Sequence, residues 1–373
     1  MVDLKTPPTT LPLTRDSVLR AHQLISPAIH QTPVLTCQTI NCLASAPLPA
    51  TPTHPGEICE FPIYLYFKCE NLQKIGAFKI RGATHAVCRL LNSPAAEEVR
   101  RTGVVTHSSG NHAQALGLAA REAGIPCTVV MPTISMKSKI AGTRTYGARV
   151  VFSGSTAPER EAVVAEVQKE NGAVLVPPYD HPDIIVGQGT AAVEFIDQVG
   201  AMVGDSGVGL QAIITPCGGG GLLAGTAVAC EGTGVRVFGA EPQKDGANDC
   251  ERGLAIGKRI TEVKTLTVAD GLRTPVGKWN WAVICDQGKV DGVYSVSEEE
   301  ILTALRLVLE RMKVVVEPSG VVPLAVVLYN RSFRAKVREL WKEEGEVNLG
   351  IVFSGGNVPV EKLGELFAEK GIR

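Results

Sequence analysis

Four short segments carry residue types that could hold one small, anionic, carbonyl-bearing ligand. In the run from Lys68 to Ala83, Lys79 stands between Phe78 and Ile80, with Gly76 and Ala77 just before it. A lysine among apolar groups loses hydration, its pKa falls, and its free amine becomes a nucleophile towards an aldehyde. Ser108-Ser109-Gly110-Asn111-His112 offers hydroxyls, an amide and an imidazole at a turn and helix start, a set suited to a carboxylate or a phenolic oxygen. Gly218-Gly219-Gly220-Gly221 lies between a strand and a helix. Without Cβ atoms that backbone can approach an anion and aim several N–H groups at it, with the helix dipole adding favour, so a phosphate fits. No Gly-Lys-Ser/Thr ending follows, which excludes a nucleoside-triphosphatase loop. Finally, Ser354-Gly355-Gly356-Asn357 follows an apolar strand, and the neutral Ser354 hydroxyl could meet a heterocyclic nitrogen.

Taken singly, each segment has an ordinary structural explanation: a solvated loop lysine, an N-cap with a satisfied histidine, a tight glycine turn, a turn serine. Taken together they point to a phosphorylated aldehyde cofactor held by a lysine imine, pyridoxal 5'-phosphate. The glycines take its phosphate, Lys79 its aldehyde, Asn111 the ring hydroxyl and Ser354 the ring nitrogen.

The elements that must position these segments alternate along the chain. Strand-like runs at Ile63–Phe67, Gly103–His107, Cys127–Met131, Arg149–Phe152, Ala173–Val176, Gly209–Thr215, Val235–Glu241 and Ile351–Phe353 are interleaved with helical patterns at Ala83–Leu91, Ala113–Ala123, Ser138–Tyr146, Pro158–Asn171, Thr190–Val199, Glu298–Met312, Val321–Tyr329 and Pro359–Glu369. Such alternation predicts parallel sheets, whose ligands bind at the carboxyl ends of the strands. Each of the four segments sits at a strand end. A first helix is expected from Thr14 or Asp16, and Ser297 with Glu300 forms a capping box. Residues 1–13 read as a loose tail and Asn41–Pro62, rich in Pro, Ala and Thr, as an irregular surface insertion. Pro33-Val34-Leu35 reads as extended chain. The histidines His85, His107 and His181 have no partner that spacing identifies.

The stretch around Lys79 closely resembles the pyridoxal-phosphate attachment signature of serine/threonine dehydratases. Ser-Ser-Gly-Asn-His, Gly-Gly-Gly-Gly-Leu and Ser-Gly-Gly-Asn occur in that family's order and spacing, and the resemblance runs from about Thr14 to the C-terminus. It implies an α/β architecture of fold type II, like the β subunit of tryptophan synthase, with two parallel-sheet domains and the cofactor in the cleft between them: 14–94 with 182–373 as the large domain, 95–181 as the small one. Within the family the chain looks most like the branch of eukaryotic serine racemases and hydroxyaspartate ammonia-lyases. The resemblance makes Lys79 the imine lysine and the base on one face of the substrate Cα, and Ser109 the acid/base on the other. Two opposed proton carriers permit racemisation, whereas one supports elimination only. Ser108, Ser109, Asn111 and His112 are implied to hold the substrate carboxylate. Phe78, Leu222, Gly271, Glu317 and Asn357 are implied to line the cofactor, through Ala269-Asp270-Gly271-Leu272 and Glu317-Pro318-Ser319-Gly320 among others. Because a hydroxyl at Ser354 cannot force a proton onto the pyridine nitrogen, the cofactor is a weaker electron sink. Loss of a β-hydroxyl, giving keto acid and ammonia, is therefore expected to compete with racemisation.

Carboxylates and a carbonyl after a strand, in Glu241 to Cys250, suit Mg²⁺ or Ca²⁺. The family's ion maps to Glu241, Ala247 and Asp249, with Asp245 a rival because the segment has about two extra residues. The resemblance also implies a homodimer. The 41–62 insertion leaves activation by a nucleotide such as ATP open, and the 16 residues after Asn357 are too few for the regulatory domain of biosynthetic threonine dehydratases.

Composition narrows the alternatives. Formal net charge of −1 argues against nucleic acid or an anionic membrane surface, and no apolar run reaches the ~18 residues of a membrane span. No secretory core is visible, and ten scattered cysteines without a CxxC pair suit reduced thiols in the cytoplasm. The reading is an ammonia-lyase or racemase for serine, threonine or 3-hydroxyaspartate. A β-replacement enzyme of the cysteine-synthase type and a non-catalytic pyridoxal-phosphate-binding protein are the alternatives. A nicotinamide dehydrogenase lacks its GxGxxG with a downstream acid.

Overall fold

The computed structural model describes residues 13–51, 56, 57, 61–135, 137–204 and 207–369. The expected tail, apart from Leu13, and parts of the 41–62 insertion lie outside these residues. Among these residues ten strands form two sheets. The larger holds β1 (Val34–Thr36), β2 (Ile63–Cys69), β7 (Ala212–Pro216), β8 (Arg236–Pro242), β9 (Gly292–Val296) and β10 (Val347–Phe353), and the smaller holds β3 (Val104–His107), β4 (Cys127–Pro132), β5 (Arg149–Ser153) and β6 (Val174–Leu175). Spatial order is β1-β2-β10-β7-β8-β9 in the first and β5-β4-β3-β6 in the second. All pairings are parallel except β1 with β2. Parallel strands are covered on both faces, which is why β4 and β7 are buried at every residue and read as unbroken apolar runs.

One consequence of this order governs the site. β2, β10 and β7 are neighbours, with Phe353 opposite Cys69 and Ile351 opposite Ile214. Their carboxyl ends therefore deliver the Lys79 segment, the Ser354 segment and the glycine run side by side.

Behind them runs the 22-residue helix Pro182–Val203. It crosses the helix Lys79–Leu91 where a Cβ on Gly187 would stand 2.7 Å from the Gly82 Cα, and the helix Gly221–Cys230 where a Cβ on Gly189 would stand 2.5 Å from the Gly225 carbonyl oxygen. Side chains at these crossings would force the helices apart. The two helices that start at the lysine and at the glycine run are thus both seated on one rod.

Several elements differ from expectation. The helix expected from Ala83 starts at Lys79 itself, and the one expected from Thr190 starts at Pro182. Every residue from Pro182 to Phe195 is buried, so no amphipathic stripe announces the helix. The helices Gln38–Ser45, Ala96–Thr102, Asp249–Ile256, Lys278–Ile284 and Arg331–Leu340, and β9, were not expected. The helix Arg15–Ile25 begins as read, with Thr14 capping it, and Ser297 and Glu300 form their reciprocal box.

The 41–62 segment is less irregular than its composition suggests. It contains most of the helix Gln38–Ser45, and its Glu57 pairs with Arg334 and Arg338, each at 2.8 Å. Burial alone would raise the Glu57 carboxyl, but hydrogen bonds from Arg334, the Leu48 amide and Arg338 outweigh it and hold it at about 2. Arg334 also donates to the Ala44 and Ala46 carbonyls at 2.7 Å, so the segment is tied down to the helix Arg331–Leu340.

Candidate active site

Lys79 occupies the first turn of its helix and is half-buried. Its Nζ donates to the Pro178 carbonyl at 2.8 Å and lies 5.2 Å from the Phe78 ring centroid and 6.0 Å from that of Tyr179. Among the described residues it has no carboxylate within ion-pair distance. Burial lowers its pKa to about 8, with the charge of Glu317 pulling the other way. The amine is therefore about half neutral near pH 8, where an ordinary lysine is still almost wholly protonated.

The partners expected around it form a connected set. The Phe78 amide donates to the Ser354 carbonyl at 3.0 Å, and Ser354 is buried at the end of β10. Asn111 Nδ2 donates to Glu317 Oε1 at 3.0 Å, and Asn357 Nδ2 donates to Asn111 Oδ1 at 2.9 Å and to the Ile75 carbonyl at 2.7 Å. The Glu317 amide donates to the Gly355 carbonyl at 2.9 Å. Burial, then the charge of Asp270, raises the Glu317 carboxyl to about 8. Gly271 donates its amide to Ser319 Oγ at 3.0 Å, and a Cβ on Gly218 would meet the Leu272 Cα at 2.8 Å. The small sheet thus meets the large one through Asn111.

The glycine run is a cradle that side chains would fill. A Cβ on Gly219 would lie 2.4 Å from the Tyr179 ring, and Gly220, with φ +88°, would meet Asn280 and Val276 as well as a strained backbone. Leu222 turns its side chain into the core, leaving only its amide to face a ligand. The helices at Lys79, Asn111 and Gly221 all lack a side-chain cap, whereas Thr14, Thr156, Ser297 and Asn330 cap helices elsewhere. Uncapped N-termini leave N–H groups and a positive dipole end for anions.

His112 is buried, with Nε2 3.2 Å from the Val176 carbonyl and Nδ1 unpartnered among the described residues. Burial, then the charge of Lys79, lowers its pKa to about 3. The ring is neutral at physiological pH, so it offers no positive charge to a carboxylate. Ser108 extends the sheet by donating its amide to the Val130 carbonyl at 3.2 Å, and its Oγ accepts from the Gly110 amide at 3.3 Å; Ser109 follows it, half-exposed, at the helix entrance.

A cofactor whose phosphate needs bare N–H groups and whose aldehyde needs a neutral lysine fits these residues. A model of the family described as "Pyridoxal-phosphate dependent enzyme" matches residues 25–340. The chain belongs to that family. Its cofactor is accordingly pyridoxal phosphate, and its architecture is fold type II. The chain is 41% identical to a serine racemase of Arabidopsis thaliana over 94% of this chain and 95% of that one. It is 36% identical to an L-threo-3-hydroxyaspartate ammonia-lyase of Saccharomyces cerevisiae over 96% and 97%. The crystal structure of a serine racemase from Dictyostelium discoideum superposes with a TM-score of 0.78 at 39% identity, covering 93% of this chain and 99% of that one.

Sequence reasoning missed the segment Pro178–Asp180 of this pyridoxal-phosphate enzyme. Pro178 accepts from Lys79, Tyr179 lies on the cradle, and Asp180 accepts from the Lys278 and Trp279 amides at 2.8 and 2.7 Å. It follows β6, so the strand-end rule that found the other four segments could have found this one too. Also unforeseen is the pair of Lys139 with Asp270 at 2.6 Å, beside Gly271.

Of the carboxylates implied to hold a divalent ion, Glu241 lies near the end of β8 and Asp249 opens the helix Asp249–Ile256. Glu241 is fully buried, accepting from the Cys250 amide at 3.1 Å and the Glu251 amide at 2.9 Å, and Asp249 accepts from the Val276 amide at 3.0 Å. Ala247 is buried too, whereas Asp245 is exposed on a left-handed turn with φ +51°. Burial raises the Glu241 carboxyl well above its usual range and the Asp249 carboxyl to about 6. Buried carboxylates with no cationic side chain at ion-pair distance among the described residues fit a divalent ion.

The lowered pKa of Lys79 has a kinetic consequence. Only the neutral amine attacks an aldehyde, so capture of pyridoxal phosphate by the apo-protein is expected to quicken about tenfold per pH unit up to about pH 8 and then level off. Stopped-flow absorbance across pH 6–10 measures it. A rate still climbing at pH 10 would show that Lys79 titrates as an ordinary lysine.

Proposed function

We propose that this enzyme deaminates small β-hydroxy amino acids, L-serine, L-threonine or L-threo-3-hydroxyaspartate, expelling the β-hydroxyl as water and taking one water back as keto acid and ammonia are released, and racemises them in competition. The observation that carries the reading is Lys79: an amine on a carbonyl, without a carboxylate partner among the described residues, at the foot of a phosphate cradle. Full-length relatives named for both reactions support it. The cofactor, when bound, supplies the electron sink that stabilises charge at the substrate Cα. Lys79 takes the Cα proton on one face, its pKa lying near the working pH of a general base. Ser109, at the uncapped helix entrance, holds or returns a proton on the other. The N–H groups at Asn111 and His112, together with Ser108, orient the carboxylate. Glu317 and Asn357 fix the Asn111 amide against the cofactor's ring oxygen, and Ser354 meets the ring nitrogen with a hydroxyl rather than an acid.

We take residues 14–94 with 182–373 as the large domain and 95–181 as the small one, in keeping with the two separate sheets. A cytosolic homodimer is part of the same reading. The nine described cysteines are all free, and among the described residues no helix is long and apolar enough to cross a membrane.

Incubation with each amino acid separately, scoring keto acid and D-isomer, tests the function. Neither product with any of the three would overturn it. Ser109→Ala is expected to depress racemisation by a factor on the order of 10²–10³ while elimination of the L-substrate falls less than tenfold, since only inversion needs the second proton carrier. Equal losses in both would count against the two-carrier reading.

A further inference from the structure

Behind the glycine cradle lies a cluster that the reaction does not use. Cys217 leaves β7 and directly precedes Gly218, Glu241 is on β8, and Cys250 is in the first turn of the helix Asp249–Ile256. Strand pairing brings the three together: the Cys217 amide donates to the Ala240 carbonyl at 2.8 Å, and the Cys250 amide to Glu241 Oε1 at 3.1 Å. All three residues are 0% exposed, and the two Sγ atoms and a Glu241 carboxylate oxygen lie within 4.8 Å of one another. Glu241 has no cationic side chain as partner among the described residues; its hydrogen bonds come from two backbone amides. A carboxylate this far from water is costly unless a positive charge or a proton compensates it.

The donor set differs in kind from the family's oxygen ligands. Two sulfurs and one oxygen within 4.8 Å of one another are close enough to share one ion, and a tetrahedral site with Zn–S of ~2.3 Å and Zn–O of ~2.0 Å would draw them to edges of roughly 3.3–3.8 Å. Thiolates select thiophilic ions, whereas carboxylate, carbonyl and water select Mg²⁺ or Ca²⁺. We propose that Cys217, Glu241 and Cys250 form a mixed sulfur–oxygen site for a thiophilic divalent cation of the Zn²⁺ type, with water in the fourth position. Both thiols bind as thiolates and release their protons to solvent. Glu241 belongs to this set and to the oxygen set of Glu241, Ala247 and Asp249, so the two compete for it. The site abuts Gly218, and its occupant therefore stiffens the loop that holds the cofactor phosphate.

The test is zinc-edge X-ray absorption on the holoenzyme, equilibrated with Zn²⁺ and desalted, alongside metal analysis. The expected result is about one Zn²⁺ per chain with two sulfurs at ~2.3 Å. Cys217→Ser and Cys250→Ser should each remove one sulfur, and the double variant the whole shell. Cys217→Val provides an apolar replacement should the serine variants not fold, and it too should leave one sulfur. Zinc lost on desalting, or held by a light-atom shell alone at ~2.0–2.1 Å, would overturn the site. Neither readout depends on turnover, so failure here is distinguishable from failure of the proposed reaction.

Discussion

Lys79→Ala is expected to abolish the visible chromophore of the purified protein and to lower turnover by a factor on the order of 10⁴. The size follows from losing two roles at once, the nucleophile that bonds the cofactor and the base that takes the Cα proton. The rest of the pocket would survive, because among the described residues Nζ makes a single hydrogen bond, to the Pro178 carbonyl. Circular dichroism should therefore be unchanged and phosphate binding at the cradle retained. Lys79→Arg separates charge from nucleophilicity and is expected to be as inactive as the alanine variant. Borohydride reduction followed by peptide mass analysis supplies the direct check: the cofactor's mass should sit on the Lys79 peptide of the wild type and on none in the variant. A variant that kept turnover and chromophore would refute the assignment of Lys79.

Arg81→Met should cost about 3–5 kcal/mol of stability, a large fraction of a typical folding free energy. Arg81 forks onto Glu70 at 2.7 and 2.7 Å and onto Glu194 at 2.9 and 2.8 Å. Lys68 completes the group, with 2.8 Å to Glu194, 2.9 Å to the Thr32 carbonyl and 2.7 Å to Gln198. Two cations and two anions balance, and all four side chains are no more than 3% exposed. Removing one guanidinium leaves an excess negative charge where water cannot reach it. The double variant Arg81→Met/Glu70→Gln restores the balance and is expected to recover a good part of the loss, a coupling that a double-mutant cycle reads directly. Denaturant titration of the apo-protein measures both. A loss below about 1 kcal/mol would mean that the network is cheaply replaced. Arg81 lies two residues beyond Lys79 on the same helix, so the variant should also bind the cofactor more weakly.

Much of the site could be read before the fold was known, because its segments advertise their chemistry locally. Lys79 among apolar neighbours, four successive glycines and Ser-Ser-Gly-Asn-His each belong to a strand end, and the alternation of strands and helices is enough to say that such ends converge. What stayed hidden depends on long-range contacts. The end of β6 marks Pro178 and Tyr179 as near a ligand, but no residue type there shows that a backbone carbonyl will receive the lysine amine. The rod Pro182–Val203 was half missed because burial on every side erases the 3.6-residue period. The two extra residues near Asp245 left the register of the acidic ligands open, and burial separates them: Asp245 faces water, while Glu241 and Asp249 do not. Cys217 and Cys250, 33 positions apart, looked like scattered small core residues until the pairing of β7 with β8 brought their sulfurs to one carboxylate.

The position of β10 also sets a timetable for making the molecule. It lies between β2 and β7, yet roughly 130 residues separate the end of β7 from its start. At ordinary rates of translation, ~5–20 residues per second, β10 leaves the ribosome on the order of ten seconds after β7. Throughout that interval the nascent chain carries two strands with unpaired inner edges, and Lys79 has no Ser354 segment beside it. The edges are apolar and sticky, which makes this window the period of greatest exposure to aggregation and to chaperones. A cofactor site that needs both flanks of β10 cannot assemble until β10 has emerged, so vitamin B6 is captured only after that point.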